Sequence, residues 1–293
     1  MRLKRSFCRA HLSVAVIAGL AIPLMPVTRA LGAEAAGDAA VVRAQLAPSG
    51  TLRAAINYNN PLLARRDAAT GELSGVAVDL SRELARRLGL PVELIPVDAA
   101  ARISDTAKSG VWDIGYLAID PARATDIDYT AAYLLLEGTY LVPAGSPLQR
   151  VEDVDRDGLR IAVTAKSAYD LFLSRELRHA QLVHADNTPA SIELLAAQQL
   201  DAVAAVRTAL VAGARRLPGA RVLPGHFMTI PQAAAIPKGR PAALRYVRAF
   251  IEEMKASGFV AAALRRAGLG PDDAIVAPTE ATGGRGGSRT HRR

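Results

Sequence analysis

The sequence predicts an α/β fold in two lobes, each a sheet of parallel strands packed between helices. Three observations carry this. Strand-like and helix-like segments alternate between residues 51 and 119. A second alternating series runs from 160 to 223. The two are separated by the turn-rich stretch Pro143-Ala144-Gly145-Ser146-Pro147. Alternation of this kind implies parallel sheets covered on both faces, and two units of this size imply two compact lobes.

The elements follow in order. Residues 34–50 form an alanine-rich lead without strong periodicity. Residues 51–57 make a short strand, broken by Tyr58-Asn59-Asn60-Pro61, and Gly71-Glu72 reads as a turn. From Val76 a helix carries Leu80, Leu84 and Leu88 on one face and stops at Gly89. A strand over 91–97 and a modest helix over 98–108 lead to Gly110, which can adopt the left-handed conformation that ends a helix. The apolar run 111–119 is a strand with both faces buried. Strand-like residues 134–142 follow Tyr129-Thr130-Ala131-Ala132-Tyr133. In the second series, strands are expected over 160–164, 181–185, 201–206 and 221–223, with helices over 167–178, from Thr188-Pro189 onward, and over 208–217. The stretch 226–238 has no clear pattern, and helices over 241–256 and 259–267 close the chain. If these last helices return to the first lobe, two strands cross between lobes, near 140–146 and 224–236. The cleft beside such a hinge is where a small molecule would bind.

The two series echo each other. Val111-Trp112-Asp113-Ile114 and Gln199-Leu200-Asp201-Ala202 each place an aspartate at a helix-to-strand junction.

Both ends of the chain read as processing or tail segments. Residues 1–33 have a basic start (Arg2, Lys4, Arg5, Arg9), an apolar core over 12–25, and small residues at Ala30, Gly32 and Ala33, the pattern of a cleaved secretion signal. Its apolar core is short and broken by Pro23 and Pro26, which argues against a membrane span. Cys8 is the only cysteine, so the processed chain would hold no disulfide, thiol nucleophile or cysteine metal site. Residues 279–293 are mostly Gly, Arg, Ser and Thr and are expected to be disordered. The net charge of +8 resides in these ends: the first 33 residues carry five bases and no acid, and the last 15 carry four arginines and one glutamate. Residues 34–278 are therefore neutral, which removes the electrostatic case for a nucleic-acid partner.

One stretch carries the strongest functional signal. Asp120-Pro121 after the strand opens a helix: the carboxylate caps free amides, and proline at the first helical position gives up an N–H that has no partner there. Arg123 would then sit in the first turn, at the carboxyl end of a strand, where open α/β folds bind ligands. Tyr116 and Ala118 share that strand end. A guanidinium beside helix-start amides makes a pocket for a carboxylate.

Four segments, in this order and spacing, resemble extracellular solute-binding proteins of the polar-amino-acid type, family 3, the receptor components of ABC importers. They are Gly71-Glu72-Leu73-Ser74-Gly75-Val76-Ala77-Val78-Asp79-Leu80, Ser109-Gly110-Val111-Trp112-Asp113-Ile114, Ile119-Asp120-Pro121-Ala122-Arg123-Ala124, and Ile127-Asp128-Tyr129-Thr130-Ala131-Ala132-Tyr133. The likeness covers residues 50–270. It implies a periplasmic-binding-protein fold of type II character, with lobe 1 over 50–142 and 230–270 and lobe 2 over 143–229. It further implies a monomeric receptor in the periplasm that takes a small amino acid or organic acid to an inner-membrane permease, without metal or cofactor and without catalysis. By the same likeness Arg123 grips the ligand carboxylate. Ser167 and Ala168, in Lys166-Ser167-Ala168, supply a hydroxyl and an amide from lobe 2. Asp120 stands where the family has threonine, and Lys166 where it has glycine. The acid that usually binds the α-ammonium falls on Val206, beside Arg207. The aromatic platform expected after the first strand is replaced by Asn59. Arg123 and Arg207 together would suit a small organic anion.

The rival reading is an enzyme on this fold, resembling dehydratases that act on cyclic acids. Acid–base candidates are Asp98, Glu137, Asp170, His184 and His226, none in a recognisable pair. The five histidines are scattered, and no glycine-rich phosphate loop follows a strand. A sensor that passes closure to a separate partner would use the same cleft.

Overall fold

The computed structural model describes residues 38–271 and 273–280, so the secretion signal expected over 1–33 and most of the tail expected over 279–293 lie outside the described residues. The alanine-rich lead contains a helix, α1, over residues 38–46. It is held by the fully buried Leu46 and by Gln45, whose Oε1 accepts from the amides of Ala242 at 2.8 Å and Ala243 at 3.1 Å.

The first series is β1 (Leu52–Asn57), a small hairpin of β2 (Arg65–Arg66) and β3 (Leu73–Ser74), α2 (Val76–Leu88), β4 (Val92–Val97), α3 (Ala100–Ser104) and β5 (Ile114–Ala118). The leucine stripe of α2 is buried as its spacing requires, and Gly89 ends the helix in the left-handed conformation, φ 63°. Gly75 opens it at φ 126°, and a Cβ there would lie 2.6 Å from the Leu63 carbonyl oxygen, so glycine is required twice over.

A single long strand, β6 (Ile127–Val142), leads to the second series: β7 (Arg160–Thr164), α4 (Ala168–Glu176), β8 (Gln181–Ala185), α5 (Thr188–Ala197), β9 (Ala202–Val206), α6 (Arg207–Ala214) and β10 (Arg221–Val222). The chain returns through β11 (Met228–Pro237) and ends in α7 (Pro241–Ala256), α8 (Phe259–Arg266) and β12 (Ile275–Val276).

The main sheet runs β4-β1-β5-β11-β6-β9-β7-β8. Its two ends are parallel, as expected: β1 with β4 and β5, and β7 with β8 and β9. The middle is not. β11 is antiparallel to both β5 and β6, and β6 is antiparallel to β9, so the sheet is mixed. β6 joins the two halves by exchanging partners at Gly138, which pairs with Met228 on one side and Val206 on the other.

The aspartate echo is a true structural repeat. Asp113 and Arg53 exchange bonds, the Asp113 amide to the Arg53 carbonyl at 2.8 Å and the Arg53 amide to Asp113 Oδ2 at 3.1 Å. Asp201 and Arg160 do the same at 3.0 and 2.8 Å. Each aspartate thereby stitches the start of one strand to the start of its parallel neighbour.

The helix expected after Asp120-Pro121 is a correction: the segment makes only a 3-10 turn, Arg123–Thr125. The amides of Arg123 and Ala124 both point to the Asp120 carbonyl, and β6 begins at Ile127, leaving no chain for a second turn.

Candidate functional site

Where β1, β4 and β5 of one half face β7, α4 and α5 of the other, a small cavity opens. Its volume is about 50 Å³, room for roughly three to five waters at the 10–15 Å³ each requires.

Arg123 is part of its wall. The side chain is buried, 6% exposed, by the turn that carries it off the end of β5. Nη1 donates to the carbonyl of Ala118 at 3.2 Å, and Nη2 crosses to the other half, to the carbonyl of Lys166 at 2.7 Å. Nε has no hydrogen-bond partner among the described residues, and the nearby Tyr129 hydroxyl has none either. No carboxylate of the described residues contacts the guanidinium. Asp120 is engaged elsewhere: Oδ1 accepts from the Ala122 amide at 2.8 Å, and Oδ2 lies 3.3 Å from Arg175 of the opposite half. Burial accordingly pulls the Arg123 pKa below its ordinary value, with Tyr129 and Asp120 opposing. The Tyr129 phenol, mostly buried near this cation, is pushed up to about 12 by desolvation.

The opposite wall is the start of α4. Ser167 Oγ accepts from the Asp170 amide at 3.1 Å, a regular N-cap, while the Ala168 and Tyr169 amides have no partner among the described residues. Ser167, Ala168 and Tyr169 all line the cavity. The loop before α4 turns at Lys166, φ 55°, a left-handed backbone that glycine would adopt without strain. The turn is held by the Lys166 amide donating to Asp170 Oδ2 at 2.7 Å, and it aims the Lys166 carbonyl at Arg123. The side chain of Lys166 reaches Asp105 of the other half at 2.8 Å.

Of the residues expected at the site, Arg123, Tyr116, Ala118, Asn59, Ser167 and Ala168 line the cavity together. Tyr116 lines the cavity, while its hydroxyl accepts from Ser81 Oγ at 3.1 Å inside the core. Asp120 and Arg207 do not line it. Asp120 is a cap and a cross-cleft ion-pair partner, being drawn away by the Ala122 amide and Arg175. Arg207 faces the hinge strand instead, because Glu137 on β6 takes its Nε at 2.7 Å and the carbonyls of Leu223 and Gly225 take the other nitrogens. The pairing of Arg123 with Arg207 on one organic anion is therefore not the arrangement present. Asn59 supplies an amide in place of a ring, tied to the Asp98 carbonyl through Nδ2 at 2.8 Å.

Several lining groups were not singled out from sequence. Thr164, Tyr169 and Thr188 form a hydroxyl cluster, with the Tyr169 phenol 3.0 Å from Thr164 and 3.1 Å from Thr188. Asn57 and Asn60 flank Asn59. Gln232, the one amide side chain of strand β11, is 4% exposed and lines the cavity. Of the acid–base candidates only Asp98 reaches the lining. Glu137 holds Arg207, and Asp170 holds His184 Nε2 at 2.9 Å together with the Lys166 amide.

Comparison with known proteins places this geometry. Among curated proteins, the glutamine-binding protein of Geobacillus stearothermophilus is 23% identical over 229 residues, 76% of this chain and 87% of that protein. Among solved structures, the solute receptor for L-cysteine of Neisseria gonorrhoeae superposes with a TM-score of 0.70 at 23% identity, covering 81% of this chain and 99% of that one. The ancestral amino acid-binding protein AncCDT-1, a precursor of cyclohexadienyl dehydratase, superposes with a TM-score of 0.64 at 22% identity, covering 75% and 95%. These structures share the fold, a mixed α/β protein of two lobes. A family model matches residues 52–268, nearly the whole described chain, and on that match the protein belongs to the bacterial extracellular solute-binding proteins, family 3.

Proposed function

We propose that the chain is the solute-binding component of an ABC importer, working in the periplasm after removal of residues 1–33 and delivering a small carboxylate-bearing solute to a permease. Lobe 1 comprises 50–142 with 230–270 and lobe 2 comprises 143–229, and the ligand sits between them. The observation that carries this is Arg123: a buried guanidinium with a free Nε, no carboxylate in contact, and the open amides of α4 across the cavity. A carboxylate placed there accepts from Arg123 on one side and from the Ala168 and Tyr169 amides on the other. Because those donors come from different halves, binding favours the closed form, which a permease can distinguish from the open one.

A dehydratase-like reading has one observation in its favour, Asp98 on the cavity wall. Its carboxylate sits 3.6 Å from Arg102 and faces no second acid or base, and the cavity is small for a cyclic acid. A thermal-shift screen of amino acids, organic acids, sugars and cyclic acids tests the proposal. Stabilisation by small carboxylates is the expected result. Stabilisation by uncharged sugars alone, or turnover of a cyclic acid, would replace it.

A further inference from the structure

Gln232 has no hydrogen-bond partner for its amide among the described residues, although the residue is 96% buried. Strand alternation puts it on the same face as Ile230, which also lines the cavity. Its register partner on β5 is Ala118, the residue whose carbonyl holds Arg123. Gln232 and Arg123 thus line the same cavity, with Ala118 between them. Its own strand is irregular at this point: pairing with β6 shifts register between Gln232 and Ala233.

The groups around Arg123 constrain what the second anchor can recognise. Val206, at the end of β9, lines the cavity with an apolar side chain, and Arg207 after it is bound to Glu137. Asp98 is the one carboxylate among the lining residues; it is 36% exposed and sits 3.6 Å from Arg102. An ammonium brought into this space would lose its hydration and meet only Asp98, a partly exposed carboxylate already shared with Arg102, while the position at the end of β9 offers the apolar Val206. A hydroxyl suits a carboxamide well, because it can donate to Oε1 and accept from Nε2.

We propose that Gln232 is the specificity-determining residue of the site and that the ligand is a small 2-hydroxy acid, its carboxylate on Arg123 and its hydroxyl on Gln232. This rests on the carboxylate reading of Arg123.

Calorimetry with the purified protein tests it, using glycolate and L-lactate against the isosteric glycine and L-alanine, with propionate as the acid lacking the second group. The hydroxy acids bind at least tenfold more tightly than their amino-acid counterparts. Gln232→Leu, close in size, weakens L-lactate at least tenfold and leaves propionate within about twofold. Gln232→Glu supplies the missing counter-charge and reverses the order, so that L-alanine exceeds L-lactate. The propionate measurement separates a local loss from misfolding. L-alanine binding the wild type as tightly as L-lactate overturns the proposal, and assigns the ammonium to Asp98 if Asp98→Asn abolishes it. Acid binding that is lost in Arg123→Met but indifferent to Gln232→Leu also overturns it while leaving the carboxylate reading intact. A folded wild type that binds none of the five acids overturns both.

Discussion

Replacing Arg123 with methionine, which fills the space of the arginine stem, separates a binding residue from a structural one. In the folded protein the guanidinium makes two bonds to carbonyl oxygens and leaves Nε unsatisfied. Hydrogen bonds to a charged group contribute about 1.5–3 kcal/mol each. Against them stands the desolvation of a cation that touches no carboxylate, a penalty of several kcal/mol. The two sides nearly cancel, so Arg123→Met should change the ligand-free stability by less than about 2 kcal/mol in either direction. Affinity should behave differently. Truncating one partner of a buried charge pair costs about 2–5 kcal/mol, which is roughly 30- to 5,000-fold in Kd. The assay is urea denaturation without ligand beside calorimetry with the tightest-binding acid. A stability loss above about 3 kcal/mol combined with unchanged affinity would show that Arg123 is a structural cation and refute the reasoning.

Asp113 is the opposite case: fully buried and bonded to Arg53 and Arg240 through three side-chain contacts of 2.9–3.1 Å. Asp113→Ala should cost about 3–5 kcal/mol by urea denaturation, whereas Asp201→Ala, with no such pair, should cost about 1 kcal/mol. Arg175→Ala removes an ion pair to Asp120 that spans the cleft. Because the arginine is half exposed, calorimetry should show a loss of affinity of only about 0.5–1 kcal/mol. Glu83 is held by Arg86 and Arg87, which lower its pKa from the ordinary 4.5 to about 2. The stability this lends is complete above 4.5 and fades as pH falls toward 2, so the thermal-melt difference between wild type and Glu83→Gln should be present at neutral pH and vanish across that window. Gly138→Ala puts a methyl 2.9 Å from Met228 Cγ and 3.1 Å from the Phe227 ring, which packs tilted against Tyr140 at 4.6 Å between centroids. It should cost about 1–3 kcal/mol in thermal denaturation.

The parallel parts of the fold were legible because each strand and helix there has its own local signal. The leucine stripe of α2, the glycine that stops it and the paired aspartates at 113 and 201 are all sufficient on one line of sequence. β11 was not legible. It carries Pro231, Pro237 and a glutamine among alanines, and proline normally demotes a central strand. Here Pro231 faces Leu135 across a pair that needs no donor from it, and its carbonyl accepts from the Ile119 amide at 2.9 Å. The turn after Asp120 was misjudged for a related reason: its cap was correct, but the distance to β6 was not visible locally. Arg123 was legible as a cavity-lining residue because a strand end marks it, and Ser167 and Ala168 through the family likeness; all three line the cavity. Arg207 was misplaced because nothing beside it in sequence shows Glu137, seventy residues away, as its partner. Gln232 was hidden for the same reason that it matters: it is polar only by exception.

Closure follows from where the donors lie. Arg123 and Ala118 belong to one half, and Lys166 and the α4 amides to the other, so neither half alone surrounds a carboxylate. The contacts that span the cleft, Arg123 to the Lys166 carbonyl, Arg175 to Asp120 and Lys166 to Asp105, are few, and both ion pairs involve half-exposed side chains. Such pairs are individually weak. On the proposed carboxylate reading, the closed arrangement is poised rather than locked, and a ligand that joins Arg123 to α4 would contribute the larger share of the free energy that holds it. Gln232 and the exchange point at Gly138 lie on the two strands that connect the halves: Gln232 pairs with Leu134, and Gly138 lies further along the same strand, opposite Met228.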